Sequence, residues 1–301
     1  MNIKILGCHS ATPRSNFHTT SQLVELKNHL FLIDCGEGTQ VRLREEKVKF
    51  SRIKNIFISH LHGDHFYGLI GLINTFKLLG RNVDLNIYGP KGIKEVIMLQ
   101  IKLSNSWTNF KLFFHELNSS KPELIFEDSI VRVNTIPLNH RVYTNGFHFQ
   151  EKEGFRKINF DKVKKLKIPI CDYENLKNGK DFINEENKKI KNIDLTLPPD
   201  KSLSYAFCSD TAFYPQIVNQ IKNVDLLYHE STFLNEHKEL ASKTLHSTAE
   251  QAAKIASLAN VGQLMLGHFS TRYKNKLLFI EEAKSRFENV VLAKEGETYK
   301  I

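Results

Sequence analysis

Ile53-Lys54-Asn55-Ile56-Phe57-Ile58-Ser59 runs directly into His60-Leu61-His62-Gly63-Asp64-His65, and these thirteen residues decide how the chain is read. The first seven form a short, nearly continuous apolar run, the pattern of a strand buried on both faces. Three imidazoles and a carboxylate then fall within the six residues that follow. Imidazole nitrogen and carboxylate oxygen are the ligands zinc takes when it keeps an open catalytic position. His60 and His62 alternate and can face one side. Gly63 lets the chain turn sharply, so Asp64 and His65 can aim at a second point. One short loop can thus serve two ions. The competing explanation is a solvated cluster in a turn, but packing alone does not account for so many ligand types placed just after a buried strand.

Two metals need more than four ligands, and the rest of the chain offers three in one recurring context. His140 follows the strand-like run ending in Pro137-Leu138-Asn139. Asp210 follows Tyr205-Ala206-Phe207-Cys208-Ser209. His268 follows Leu264-Met265-Leu266-Gly267. Each is a polar ligand type at the C-terminal end of an apolar strand, where α/β sheets place functional groups. Taken singly, each could be an ordinary structural residue; together they point to one site.

Strand patterning is read at Asn2–Leu6, Ser21–Leu26, Leu30–Asp34, Leu85–Tyr88, Lys111–Glu116, Ile130–Pro137, Leu203–Cys208, Val224–Tyr228, Gln263–Gly267, Val290–Leu292 and Thr298–Ile301. Helical spacing is read at Thr39–Lys47, Phe66–Leu79, Gly92–Leu103, Ser247–Ala259 and Leu277–Phe287. Gly89-Pro90 is read as a strand stop. Strands cluster in both halves with helices after several of them, which favours stacked sheets flanked by helices over a doubly wound sheet. From Glu151 to Pro199 the chain turns rich in Lys, Asn, Asp and Glu. That length exceeds an ordinary loop, so the segment is an insertion with structure of its own or a mobile arm.

The 301 residues fit a single α/β domain spanning 1–301 that carries the insertion 151–199 within it. No apolar run reaches transmembrane length, and the N-terminus lacks the zones of a signal peptide, so a cytoplasmic protein is expected. The four cysteines form no CxxC pair, which suits free thiols in a reducing compartment. The net charge of +9 hints at an anionic partner, although a lysine-rich proteome would give the same figure.

In this order, His60-x-His62-x-Asp64-His65, His140, Asp210 and His268 resemble the ligand set of the metallo-β-lactamase superfamily. Later motifs resemble the short form of the ribonuclease Z family, the tRNA 3′-processing endonucleases. They are Ser209-Asp210-Thr211, His229-Glu230-Ser231-Thr232, His246-Ser247-Thr248 and Gly267-His268-Phe269-Ser270-Thr271-Arg272-Tyr273. The resemblance spans almost the whole chain. It implies an α/β (α+β) fold, an αββα sandwich of two mixed β-sheets flanked by helices, with an inserted tRNA-binding arm. It implies two Zn2+ per subunit, one on His60, His62 and His140, the other on Asp64, His65 and His268, with Asp210 bridging. Hydroxide attack on a phosphodiester would release the 3′ trailer of precursor tRNA and leave a tRNA 3′-hydroxyl.

The resemblance assigns Asp64 to the proton of the nucleophile. The leaving ribose oxygen needs a proton, for which His246 is the candidate donor and Glu230 its orienting partner. Ser247-Thr248-Ala249-Glu250 also reads as a capping box, and the two roles are compatible. His229 is explained as well by a buried supporting role. Lys162, Lys164 and Lys165 in the insertion, with Arg272, are the candidate substrate contacts; acidic neighbours make a solvated surface the alternative for the lysines. The partners expected are precursor tRNA and a second copy of the chain in a homodimer, with neither membrane nor DNA. Near the N-terminus, Thr12-Pro13-Arg14-Ser15-Asn16-Phe17 stands where the family often has Pro-x-Lys-x-Arg-Asn. The main alternative is another phosphodiesterase of the same fold that acts on small or cyclic diesters. A thioesterase, lactonase or sulfatase, and a non-catalytic RNA-binding relative, are further alternatives; the last should have broken metal ligands, and all seven are present.

Overall fold

Residues 1–301 are described by a computed structural model. In it, Ile53–Phe57 sits within a seven-stranded sheet. The spatial order is Thr298–Lys300, Asn2–Gly7, Ser21–Leu26, His29–Ile33, Ile53–Phe57, Leu85–Pro90 and Leu112–Leu117. Neighbours are antiparallel up to His29–Ile33 and parallel from there on. A second seven-stranded sheet runs Val290–Leu292, Gln263–Gly267, Leu226–Glu230, Ser204–Cys208, Asn145–Glu151, Val131–Pro137 and Leu124–Glu127. Its first four strands are parallel, and Asn145–Glu151 runs antiparallel to Ser204–Cys208.

The period-2 alternation of each strand decides what faces what. Phe31 and Phe57 of the first sheet meet Phe149 and Phe147 of the second, with ring centroids 5.4 Å apart in both pairs. Leu32, Ile56 and Ile87 point the other way, into a core shared with Leu69, Leu72, Ile73 and Phe76 of the helix Gly68–Leu78 and with Ile93, Ile97 and Ile101 of the helix Ile93–Leu103. The helices Ala249–Leu258 and Leu277–Lys284 pack on the second sheet. The architecture is therefore helix, sheet, sheet, helix, as expected from the sequence.

The strand Leu85–Pro90 ends on Gly89-Pro90, as read from the sequence, with both residues still inside it. Some local expectations needed correction. The region Phe66–Leu79 is two helices, Gly63–Phe66 and Gly68–Leu78, so Asp64 and His65 sit on a short helical turn of their own. The strands Leu124–Glu127 and Asn145–Glu151 were not anticipated. In the latter, Gly146 is required because a Cβ there would lie 2.3 Å from the carbonyl oxygen of Phe207 on the neighbouring strand.

Asp128–Val131 and Glu151–Ser202 form a second, smaller unit with secondary structure of its own. Ile158, Val163, Ile168, Leu176 and Leu195 make its core, with Tyr173, Phe182 and Ile190 packed against them. Lys157–Ile158 pairs with Thr196–Leu197, and Phe182–Ile183 with Lys189–Ile190. Asn159 caps the helix Phe160–Lys165 by accepting a hydrogen bond from the Lys162 amide. Inside the unit the Asn192 amide donates to the carbonyls of Leu176 and Lys180. The stretch thus carries secondary structure and a core of its own.

Candidate metal centre and acid pair

Six strand ends of the larger unit supply the site. Ile53–Phe57 leads to His60, Val131–Pro137 to His140, Ser204–Cys208 to Asp210, and Gln263–Gly267 to His268. Leu226–Glu230 ends on Glu230, and His29–Ile33 leads to Asp34. Asp34, Asp210 and His268 all have left-handed backbone, with φ of 54°, 58° and 58°. This conformation turns the chain off the sheet at once. Asp and His are among the few side chains that tolerate it.

Asp210 lies at the centre. Its Oδ1 is 3.1 Å from His65 Nε2 and 3.0 Å from His268 Nε2. Its Oδ2 is 3.6 Å from His60 Nε2 and 3.7 Å from His140 Nε2. His62 Nδ1 joins the second side, 3.0 Å from His60 Nε2 and 3.4 Å from His140 Nε2. Asp64 Oδ2 joins the first, 3.5 Å from His65 Nε2 and 3.6 Å from His268 Nε2. Two clusters result, His60 with His62, His140 and Asp210, and Asp64 with His65 and His268; within each, the ligand atoms lie within 4.8 Å of one another.

These residues fit divalent cations. His65 and His268 each engage a partner through Nδ1, namely Asp34 Oδ2 at 2.7 Å and Thr232 Oγ1 at 2.9 Å. Their Nε2 atoms are buried without a hydrogen-bond partner and face the same carboxylate oxygen. Buried polar atoms left so are uncommon, and a cation between them satisfies both nitrogens. The charge states divide. Burial pushes the His60 imidazole well down, and the nearby His65 adds to this; burial also lowers His62 and His140, which leaves them neutral as metal ligands must be. Burial alone would raise the Asp210 carboxyl, but His268 and His65 hold it well below the usual carboxylate range. Burial would lower His65 too, but Asp210, Asp64 and Asp34 hold it well above its ordinary value, so His65 must release a proton when an ion binds.

Supporting groups fix the ligands. Asp34 accepts from the Ser59 amide at 2.7 Å and the Ser59 hydroxyl at 2.9 Å, besides holding His65. His140 Nδ1 donates to the Leu245 carbonyl at 3.0 Å, and the Ala11 amide donates to Asp64 Oδ2 at 2.8 Å. Asp34 was not recognised as part of the site from sequence. Its signal was available: like Asp210, it is a carboxylate at the C-terminal end of an apolar strand.

Beside the clusters, His246 Nδ1 bonds Glu230 Oε1 at 2.7 Å. Glu230 is fully buried and also accepts from the Thr211 amide at 2.8 Å, the Thr232 amide at 3.1 Å and the Thr232 hydroxyl at 2.6 Å. Burial works against both charges, yet the pair holds them: His246 is raised to about 9 and Glu230 lowered to about 2. Thr248, not Ser247, caps the following helix, in a full capping box with Gln251. His229 alternates to the other face of its strand, where it is buried with Nδ1 on the Glu230 carbonyl, and does not join the cluster. Lys162, Lys164 and Lys165 lie exposed on their helix in the smaller unit, and Arg272 is exposed four residues beyond His268.

A family model described as anti-Pycsar protein Apyc1 matches residues 1–167, which hold the histidine motif and His140 but not Asp210, Glu230, His246 or His268. Ribonuclease Z of Bacteroides thetaiotaomicron is 47% identical over 98% of this chain and 93% of its own length. Ribonuclease Z of Porphyromonas gingivalis is 42% identical over 98% and 97%. The crystal structure of human tRNase Z, short form, matches with a TM-score of 0.74 at 26% identity, covering 100% of this chain and 99% of the human one. A metallo-β-lactamase-fold protein of Bacillus subtilis matches with a TM-score of 0.70 at 18% identity, over 99% and 98%, and shares the fold. With relatives this similar over almost its full length, this chain belongs to the ribonuclease Z family, on the metallo-β-lactamase fold.

Proposed function

We propose that this chain is a metal-dependent endoribonuclease that removes the 3′ trailer from precursor tRNA and leaves a 3′-hydroxyl on the tRNA. The observation that carries this reading is the division of Asp210 between two ligand clusters, with a charged His246–Glu230 pair alongside. His60, His62, His140 and Asp210 Oδ2 would hold one ion; Asp64, His65, His268 and Asp210 Oδ1 would hold the other. Imidazole and carboxylate donors suit Zn2+, which we assign to both positions. When bound, the ion pair supplies water activation near neutral pH and neutralises charge on the phosphate.

The chain does the rest. Asp64 Oδ2, steadied by the Ala11 amide, accepts and orients the proton of the attacking water. His246 carries its proton at physiological pH because the Glu230 carboxylate more than offsets the cost of burial. With Nδ1 held by Glu230, its Nε2 is left to protonate the departing ribose oxygen. Lys162, Lys164, Lys165 and Arg272 contact RNA phosphates, and the tRNA is recognised mainly by shape. The active form is a homodimer and works in the cytoplasm. No helix is long and apolar enough to cross a membrane.

Cleavage of a 5′-end-labelled precursor tRNA, with metal content measured on the same sample, tests this. A cut after the discriminator base, with zinc bound, is expected. No cut at that junction with any divalent metal would sink the reading. Turnover of small or cyclic diesters without precursor cleavage would favour the small-diester phosphodiesterase.

A further inference from the structure

Leu245 follows the helix Lys238–Thr244 and adopts φ 56° and ψ 50°, the left-handed region. Helices often end on such a residue, but the position favours glycine, because a Cβ there crowds the backbone. A bulky leucine at positive φ is an outlier. Its side chain does not explain it, being only partly buried and outside the core. The groups on either side of it do. The Leu245 carbonyl accepts the hydrogen bond from His140 Nδ1 at 3.0 Å, which leaves His140 Nε2 facing Asp210 Oδ2 and His62 Nδ1. The next residue is His246, whose amide donates to the Ala241 carbonyl at 2.9 Å and whose ring meets Glu230. The rings of His140 and His246 lie 5.1 Å apart.

We propose that Leu245 is a positioning residue whose left-handed backbone sets the tautomer of His140 and the direction of His246 together, coupling the metal centre to the acid pair through one peptide. The inference rests on the functional reading above. An extended or right-handed residue at this position would swing the carbonyl off His140 and redirect His246 in the same movement. Tolerance of positive φ, rather than apolarity, therefore ranks the replacements: glycine and asparagine first, alanine next, valine last.

The test is a series of Leu245→Gly, Leu245→Asn, Leu245→Ala and Leu245→Val in the full chain, with three readouts. These are kcat and KM on precursor tRNA, competition for Zn2+ against a chromophoric chelator, and imidazole 15N NMR of the metal-free protein. Glycine and asparagine should lose less than about threefold in kcat and keep His140 protonated on Nδ1. Valine should lose more than about tenfold in kcat with KM within about twofold, and weaken one of the two Zn2+ sites about tenfold. Its His140 signals should report mixed tautomers. A residue that merely ends the helix would lower Tm in this order while kcat, Zn2+ affinity and tautomer stay put in the folded variants; that result overturns the proposal. A ranking by apolarity, with valine above glycine, overturns it too. Should the valine variant not fold, alanine must fall below glycine in all three readouts, or the proposal fails. A wild-type chain that cannot cut precursor tRNA would instead refute the functional reading, while the chelator and NMR results still judge Leu245.

Discussion

Replacing Glu230 with glutamine should convert a pH-independent acid into one that fails in mild alkali. Glu230 raises His246 from its ordinary value of 6.5 to about 9 against the cost of burial. That difference corresponds to about 3 kcal/mol of preference for the imidazolium. The sign is fixed by the direction of each shift. His246, raised, favours the folded state fully below its ordinary value and loses that contribution as pH rises through about 9. Glu230, lowered to about 2, contributes above its ordinary value of 4.5 and loses the contribution as pH falls through about 2. Across the working range the wild-type pair is charged.

In Glu230→Gln the imidazole falls to its ordinary value of 6.5 or below it, because the cost of burial remains. The protonated fraction at about pH 8 then falls from roughly nine-tenths to roughly three-hundredths or less, a loss of at least about thirtyfold; the loss shrinks steadily as pH falls through about 6. Bound cations lower both wild type and variant, so the prediction concerns the displacement between their alkaline limbs. The assay is single-turnover cleavage of precursor tRNA across pH, which separates the chemical step from product release. A folding control is needed, because the glutamine amide would meet the Thr232 amide and hydroxyl, both donors to Glu230 Oε2. A buried clash of donors costs roughly 1–3 kcal/mol and should lower Tm by several degrees. If the variant and wild-type profiles run parallel, with one constant ratio from acid to alkali, Glu230 does not tune His246 and the assignment of the acid is wrong.

Three other outcomes are expected. Asp210→Asn removes the charge shared by both clusters, so bound Zn2+ measured by mass spectrometry should fall from about two per chain to below one, with kcat down at least about a thousandfold; retention of both ions would refute the bridging role. Asp34→Asn leaves every ligand in place but weakens the hold on His65, and should cost about 10–100-fold in affinity at one site in a chelator titration, with the other site little changed. Replacing Lys162, Lys164 and Lys165 together by alanine should weaken precursor tRNA binding and lower the slope of log K against log salt by up to about 3 in filter binding. An unchanged slope would return these lysines to the solvated surface. Hydrolysis of bis-p-nitrophenyl phosphate reports the chemistry of the same variant separately.

The candidate ligands were legible in sequence because their context repeats: an apolar run, then a polar residue of ligand type. His60, His140, Asp210 and His268 all obey it, and the structure brings their ligand atoms together. Asp34 obeys it too, yet its role depends on a hydrogen bond to a residue 31 positions away, which no local pattern encodes. Leu245 was illegible for a different reason. Its contribution is a dihedral angle and a backbone carbonyl, and nothing in the letters of a leucine announces either. Asn145–Glu151 was missed because its first two residues are the strongest turn pair in the alphabet, used here where one strand needs Gly146 to pass close to its neighbour.

The strands on either side of the insertion are antiparallel neighbours, with Gln150 directly opposite Ser204. Everything between them occupies the place of a hairpin turn. Loop-closure entropy grows only slowly with length, so about fifty residues there cost about 2 kcal/mol more than five. The inserted stretch carries a small core of its own, from Ile158 to Leu195. The sheet itself therefore asks for no more than a two-residue turn between Gln150 and Ser204, and that turn is the minimal edit that removes the insertion.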